Sequence, residues 1–385
     1  MERTTGTRSP GAPGGSARKL RVAVAGCGGM GTRHTLLLGA LAEAEVTLFV
    51  DPEPSAIERL RERSRLPDVP GVASLDDPAV RERADAVVIA THHDLHPRLA
   101  VAAADAGKHV FVEKPLALTL DGCREIEAAV ARNGVQLMVG FQARHSPFVA
   151  LAREAIPRPR VLVGEMIDPV WPIGRWSQDP VAGGGNVLSQ GVHTFDLLCF
   201  LAGSEPVALH AEGGTLTHDP GATDVVDSVV ATIRFANGAV ASAVIGDFGP
   251  DAYVGKSFYQ LFDAAGRSAT VYGYYTGARV FDGERYTDYS VDRVTRGRLV
   301  GMGRTAEAGP AEPSTAHLPA AEAGDPLGPY GYAGELAEFV DCALERRPPR
   351  IGADVYAGTR ATRLALACFE SIRSGRPVPL GPLGA

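Results

Sequence analysis

Along its first third the chain alternates short apolar runs with longer mixed segments. Leu20 to Ala25 is apolar apart from Arg21, and Val46 to Val50 follows a helix-length stretch around Leu36 to Ala42. Ala86 to Ala90, His109 to Val112 and Leu137 to Val139 repeat the theme, with Ala-rich segments between them. Apolar runs without period-two alternation belong to strands covered on both faces. Strands that alternate with helix-length segments predict a doubly wound parallel sheet with right-handed crossovers.

After about residue 145 the texture changes. Val225, Asp227, Val229, Ala231, Ile233 and Phe235 share one face of an alternating run, Asn237-Gly238 follows, and Ala239 to Ile245 resumes it. Asn-Gly between two such runs predicts a tight hairpin with positive φ at both turn positions. The second half therefore reads as an open, mainly antiparallel sheet with some helices, two of them over Gly334 to Arg346 and Ala353 to Ser374. Met302 to Pro329, rich in Ala, Gly, Pro and Glu, reads as a long surface loop or a partly disordered stretch. The predicted layout is a disordered tail over 1–18, a first domain over 19–144 and a second, α+β domain over 145–380.

Composition narrows the class. A chain of 385 residues with 45% hydrophobic and 22% charged residues has the balance of two globular domains. No apolar stretch approaches the roughly 20 residues that cross a bilayer, and Met1 to Arg18 lacks the apolar core of a secretory signal. The formal net charge is -7 with no basic run, which argues against nucleic acid as a partner. The five cysteines are scattered with no C-x-x-C pair, so neither a disulfide framework nor structural zinc is expected, and a reducing cytoplasm fits.

Gly26-Cys27-Gly28-Gly29-Met30-Gly31 directly follows the first strand and opens a helix, and Asp51 ends the next strand. In this context Gly26 makes the tight turn, Gly28 lets backbone approach a pyrophosphate, and Gly31 permits close helix–strand packing. Asp51 is placed to accept hydrogen bonds from the adenosine ribose, and its charge disfavours a 2′-phosphate. NAD is therefore expected ahead of NADP, with Arg59 and Arg61 as features that could soften the preference. The alternative is an adenine-nucleotide site without redox chemistry.

Lys114 lies at the carboxyl end of the His109–Val112 run, where ligands bind in such sheets. Only four of the chain's 38 basic residues are lysines. A lysine here suggests a compact, deprotonable amine; a solvated lysine after a strand is the plain alternative.

Several segments together resemble the glucose–fructose oxidoreductase, inositol dehydrogenase and rhizopine-catabolism (Gfo/Idh/MocA) family. They are Gly26 to His34, Thr91 to His96, Ala106 to Pro115 with its Glu113-Lys114-Pro115, Gly140 to Arg144, Gly183 to Asp196, and Glu370 to Val378. The resemblance runs in order from about Arg21 to Leu380. It implies an N-terminal Rossmann domain that binds NAD, then an open-faced sheet that binds a small polyhydroxylated substrate and often mediates homodimers or homotetramers. It also implies an oxidoreductase acting on a hydroxyl carbon of a sugar, amino sugar or cyclitol. Transient oxidation serving epimerisation, dehydration or glycoside cleavage, and non-catalytic NAD sensing, stand as alternatives.

By the resemblance, Lys114 and His193 are the catalytic pair. The family's aspartate four residues before the histidine is Ser189 here, which cannot supply an anion to raise the pKa of His193. A histidine suits the proton-transfer role. Asp196, one helical turn on, is expected to orient His193 or the substrate. Arg144, Trp171, Trp176 and Ser189 are further candidate substrate contacts. The candidate cofactor-binding set is Gly26, Cys27, Gly28, Gly29, Met30, Gly31, Asp51, Thr91, His92, His96, Glu113 and Lys114. His92, His93 and His96 lack a cysteine or carboxylate partner at ligand spacing, so no metal is expected.

Overall fold

The computed structural model describes residues 18–219, 221–250, 256–291, 293–300, 305–309, 312–313 and 330–383. The tail expected over 1–18 lies outside them except for Arg18, which pairs with Asp85 at 2.6 Å.

The first sheet contains β1 (Leu20–Ala25), β2 (Ala44–Val50), β3 (Gly71–Val72), β4 (Ala86–Ile89), β5 (His109–Val112) and β6 (Leu137–Val139). Its order is β3-β2-β1-β4-β5-β6 with every pairing parallel. Every residue of β4, β5 and β6 is buried, as expected of strands covered on both faces. Crossovers pass through α1 (Gly29–Ala40), α2 (Pro54–Ser64), α3 (Pro78–Arg83), α4 (His96–Asp105) and α5 (Leu120–Asn133). Strand order reverses between β1 and β4, which opens a crevice at their carboxyl ends.

The second sheet is twelve-stranded. It comprises β7 (Val161–Pro169), β8 (Pro206–Gly214), β9 (Ser228–Phe235), β10 (Val240–Gly249), β11 (Ser257–Phe262), β12 (Ser268–Tyr272), β13 (Gly277–Phe281), β14 (Arg285–Ser290), β15 (Arg293–Val300), β16 (Thr305–Ala308), β17 (Glu312–Pro313) and β18 (Val378–Pro379). All its pairings are antiparallel except β7 with β10. Helices α6 (Pro147–Ala155), α7 (Val192–Ala202) and α9 (Val355–Ser374) cover one face, while α8 (Tyr332–Glu345) lies elsewhere.

Three expectations change. The stretch 302–329 is not wholly loop, because β16 and β17 pair with β15; the remainder of it is mostly outside the described residues. Helix α8, assigned by sequence to the second domain, packs Leu336, Phe339 and Val340 into the core beneath β1. Ala353 also bridges β6 of the first sheet. Finally, the β9–β10 turn has positive φ at Gly238 alone. There the Gly238 N–H donates to Phe235 O and Phe235 N–H donates to Ala239 O, so the extra residue is absorbed as a glycine bulge rather than by a two-residue turn.

Candidate functional site

A cleft of about 830 Å³ runs along the β1–β4 crevice toward the second sheet. The turn after β1 forms its floor. Gly26 has φ +91°, and a Cβ there would meet Ala90 O at 2.3 Å; at Gly31 a Cβ would meet Gly26 O at 1.9 Å. Both positions thus require glycine for backbone packing. At Gly28 and Gly29 a Cβ would meet nothing within 4 Å, and these glycines line the cleft with Met30. No side chain caps the start of α1, so its first N–H groups are available to an anion. Asp51 is held beside the turn: one carboxylate oxygen accepts from Cys27 N–H at 2.8 Å and the other from Glu53 N–H at 2.9 Å. An uncapped helix start, an open glycine cradle and a fixed carboxylate fit a dinucleotide.

Cys27 contributes its backbone rather than its side chain. It is buried outside the cleft lining, and burial, helped by Asp51, pushes its thiol up to about 12. Assigned by sequence to the cofactor contacts, it is not part of the cleft lining, and its N–H is engaged by Asp51. Gly31 likewise packs rather than lines. Arg61 is engaged with Glu58 and with Val69 O.

The opposite wall comes from β4 and β5. Thr91, His92, Glu113 and Lys114 line the cleft, and the Lys114–Pro115 peptide is cis. Glu113 is buried, with one oxygen 2.8 Å from His34 Nε2 and the other accepting from Lys114 N–H at 3.2 Å. Burial would raise its pKa, but the His34 bond and the Lys114 charge outweigh that and hold it below the usual range. Gly140 stands with its Cβ position 3.3 Å from the Glu113 carboxylate.

The three histidines after β4 have separate roles. His92 stacks on Trp176 with ring centroids 4.3 Å apart, and the His93 ring bonds Gly183 O at 2.9 Å. His96 is wholly buried and bonds Pro115 O at 2.7 Å, so it supports the Lys114 turn and is not part of the cleft lining, contrary to its assignment as a cofactor contact. Among the described residues no group of three or more side chains could hold a metal.

Lys114 reaches across to the second unit. Its Nζ donates to Ser189 O at 3.0 Å. Ser189 lies in a π-helical turn, Val187–Gly191, that leads directly into α7; such wide turns free backbone groups and recur at functional sites. His193, in the first turn of α7, lines the same cleft. Its Nδ1 is buried without a partner among the described residues, which leaves Nε2 toward the cleft. Burial, then the charges of Lys114 and Lys256, hold its pKa well below the ordinary histidine value. Burial also lowers the Lys114 pKa, with Glu113 opposing. One amine from the end of β5 and one neutral imidazole from the start of α7 thus face a common space.

A loop after β7 closes the remaining side. Trp171, Arg175 and Trp176 all line the cleft, with the Arg175 guanidinium 4.4 Å from the Trp171 ring centroid. Trp176 therefore spends one face on His92 while bordering the cleft.

Arg144 and Asp196 are not at the site. They pair with each other, Arg144 Nε to Asp196 Oδ2 at 2.8 Å and Nη2 to Oδ1 at 2.6 Å. Arg144 Nη1 also donates to Ile351 O and Gly352 O at 3.2 Å. Both are buried, so the expectation that they contact substrate, and that Asp196 orients His193, is corrected: the fork of Arg144 ties α7 to the chain before α9. Sequence reasoning missed Arg33, Gln142, Tyr274 and Tyr332, all on the cleft. Only Tyr274 carries a local mark, a positive φ of 55° followed by 68° at Tyr275, and that is a backbone property without a sequence signal.

A profile described as "Oxidoreductase family, NAD-binding Rossmann fold" matches residues 20–141, and one described as "GFO/IDH/MocA C-terminal domain" matches 150–273. Levoglucosan dehydrogenase of Pseudarthrobacter phenanthrenivorans is 29% identical over 345 residues, 77% of this chain and 82% of that protein. Inositol 2-dehydrogenase of Rhizobium meliloti is 30% identical over 228 residues, 57% of this chain and 66%, just under two thirds, of that protein. Among solved structures, levoglucosan dehydrogenase in complex with NADH and levoglucosan superposes with TM-score 0.70 at 23% identity, covering 94% of this chain and 99% of the other. Aldose-aldose oxidoreductase from Caulobacter crescentus gives 0.72 at 22% identity, covering 94% and 100%. With both halves matched in order, the chain belongs to the GFO/IDH/MocA family of NAD-binding oxidoreductases.

Proposed function

We propose that this protein is an NAD-dependent dehydrogenase or reductase acting on a secondary hydroxyl of a sugar, amino sugar or cyclitol, with Lys114 and His193 as its catalytic residues. The observation that carries the reading is their shared cleft, Lys114 from the end of β5 and His193 from the start of α7. Gly28, Gly29 and Met30 with the start of α1 would hold the pyrophosphate, and Asp51 the adenosine ribose. When bound, NAD supplies the hydride acceptor or donor at its nicotinamide ring.

The protein's part is to position the alcohol and to move its proton. His193 suits a general base because burial and two neighbouring ammonium groups keep its ring unprotonated, ready to accept the hydroxyl proton at Nε2. Lys114 exchanges its Ser189 carbonyl for the substrate oxygen and stabilises the charge that develops as the proton leaves. Trp171 and Trp176 give flat apolar walls, and Arg175 a donor, suited to a ring rich in hydroxyls. The relatives are named for levoglucosan, inositol and 1,5-anhydro-D-fructose, which supports this substrate class.

Two further aspects extend the reading. The face of the second sheet not covered by helices exposes Val230, Val240, Phe248 and Phe262, which supports assembly with a second copy. Five buried cysteines without disulfides support a reducing compartment such as the cytoplasm, and no helix among the described residues is long and apolar enough to cross a membrane.

The test is a panel of sugars, amino sugars and cyclitols incubated with enzyme and NAD or NADP. NADH formation with at least one member supports the reading. Turnover without net NADH points instead to transient oxidation, and neither turnover nor NADH contradicts the dehydrogenase assignment.

A further inference from the structure

His218 stands outside the cleft, yet its ring is fixed from two sides. Nδ1 lies 3.2 Å from Asp227 Oδ2, and Nε2 lies 3.0 Å from the carbonyl oxygen of Trp171. Both partners only accept hydrogen bonds, so a neutral imidazole, with one N–H, satisfies just one of them, whereas an imidazolium satisfies both. Asp227 is itself fixed: it also accepts from the backbone N–H groups of Leu216 and Thr217 and from the Ser228 hydroxyl. The His218 side chain is only 7% exposed, so water cannot readily replace a lost bond.

On the far side of that carbonyl is the loop bearing Trp171, Arg175 and Trp176. A second contact holds the same loop, since Asp247 Oδ2 accepts from Trp171 N–H at 3.0 Å and from Gln178 Nε2 at 2.7 Å. The charged groups facing His218 are Asp227, ahead of β9, and Asp247, from β10. Arg175 and Asp179 of the loop line the shallow depression that His218 borders.

We propose that His218 is a positioning residue for the substrate loop: its imidazolium bridges Asp227 to the Trp171 carbonyl, and loss of its proton releases the wall that Trp171 and Trp176 form. The inference builds on the cleft being the substrate site, but its test does not require a substrate. Burial disfavours the charged ring, yet the Asp227 bond and the Trp171 carbonyl leave its pKa raised above the ordinary value. The bridge is therefore complete below about pH 6.5 and is lost as pH rises through the elevated pKa.

The chain contains two tryptophans, Trp171 and Trp176, so fluorescence of the full-length protein excited at the red edge, where its ten tyrosines hardly absorb, reports on this loop. Wild-type emission should hold steady at about pH 6 and shift to longer wavelength as pH rises toward about 9. The transition should vanish in His218→Gln and persist in His92→Gln, which removes the ring stacked on Trp176. A flat wild-type profile, or a transition retained in His218→Gln, overturns the proposal. If His218→Gln fails to fold, NMR of the wild type gives the same comparison. Indole N–H signals that follow the His218 ring titration support the bridge, and indoles indifferent to it overturn it. Once a substrate is in hand, its KM should rise by about tenfold across the transition while kcat changes little.

Discussion

The ammonium of Lys114 donates to the backbone carbonyl of Ser189 across 3.0 Å, joining the end of β5 to the turn that launches α7. Serine at position 189 supplies no carboxylate, so the contact that Lys114 makes there is to a neutral backbone dipole. Burial first, and then the charges of Lys114 and Lys256, hold the His193 ring neutral, with no anion at position 189 to oppose them.

Restoring the anion should therefore act on His193. In Ser189→Asp the acidic limb of the kcat/KM profile should move up by about one pH unit, because a carboxylate beside the ring favours its protonated form. An unchanged limb would mean that position 189 does not influence His193.

Asp51, bonded to the glycine turn through Cys27 N–H, should exclude a 2′-phosphate. NAD should be used at least about tenfold better than NADP in kcat/KM, and Asp51→Ser should narrow that ratio. An initial preference for NADP would overturn this reading of the acid.

The buried fork between Arg144 and Asp196 should matter to stability more than to chemistry. Removing one partner leaves a buried charge unpaired, at a cost of about 3–5 kcal/mol. Thermal unfolding of Arg144→Met should show a large drop in Tm, with KM of the surviving enzyme near the wild-type value. A selective rise in KM at unchanged Tm would return Arg144 to the substrate site.

Glu338 gives a stability signature at low pH. Its burial is outweighed by His145 Nε2 and by the N–H groups of Arg350, Gly352 and Ile351, which hold its pKa down at about 2. A depressed carboxylate contributes stability above its unfolded pKa of about 4.5 and loses it as pH falls toward the folded value. Denaturant unfolding from pH 5 to 3 should show that loss in the wild type and a shallower slope in Glu338→Gln. Equal slopes would contradict the assignment.

Much of this site was legible in sequence because its determinants are local. The glycine spacing, Asp51 twenty residues on, and Lys114 at a strand end each follow from one strand–turn–helix unit. The alternating run from Val225 to Phe235 marked the buried face of β9 for the same reason. What escaped depends on distant pairing. Nothing near Arg144 signals that its partner is 52 residues away, and nothing near His218 signals Trp171, 47 residues earlier. The amphipathic pattern of helix α8 says which face is buried but not that this face packs beneath β1.

The most direct test compares Lys114→Met, His193→Asn and the double variant with wild type, following NADH formation with a substrate found in the panel. Each single change should lower kcat/KM by about a thousandfold or more, with NADH binding retained, and the double variant should be little worse than the poorer single one, as for groups acting on one oxygen. Losses that multiply independently, or a single variant with wild-type turnover, would contradict a shared role for the two residues.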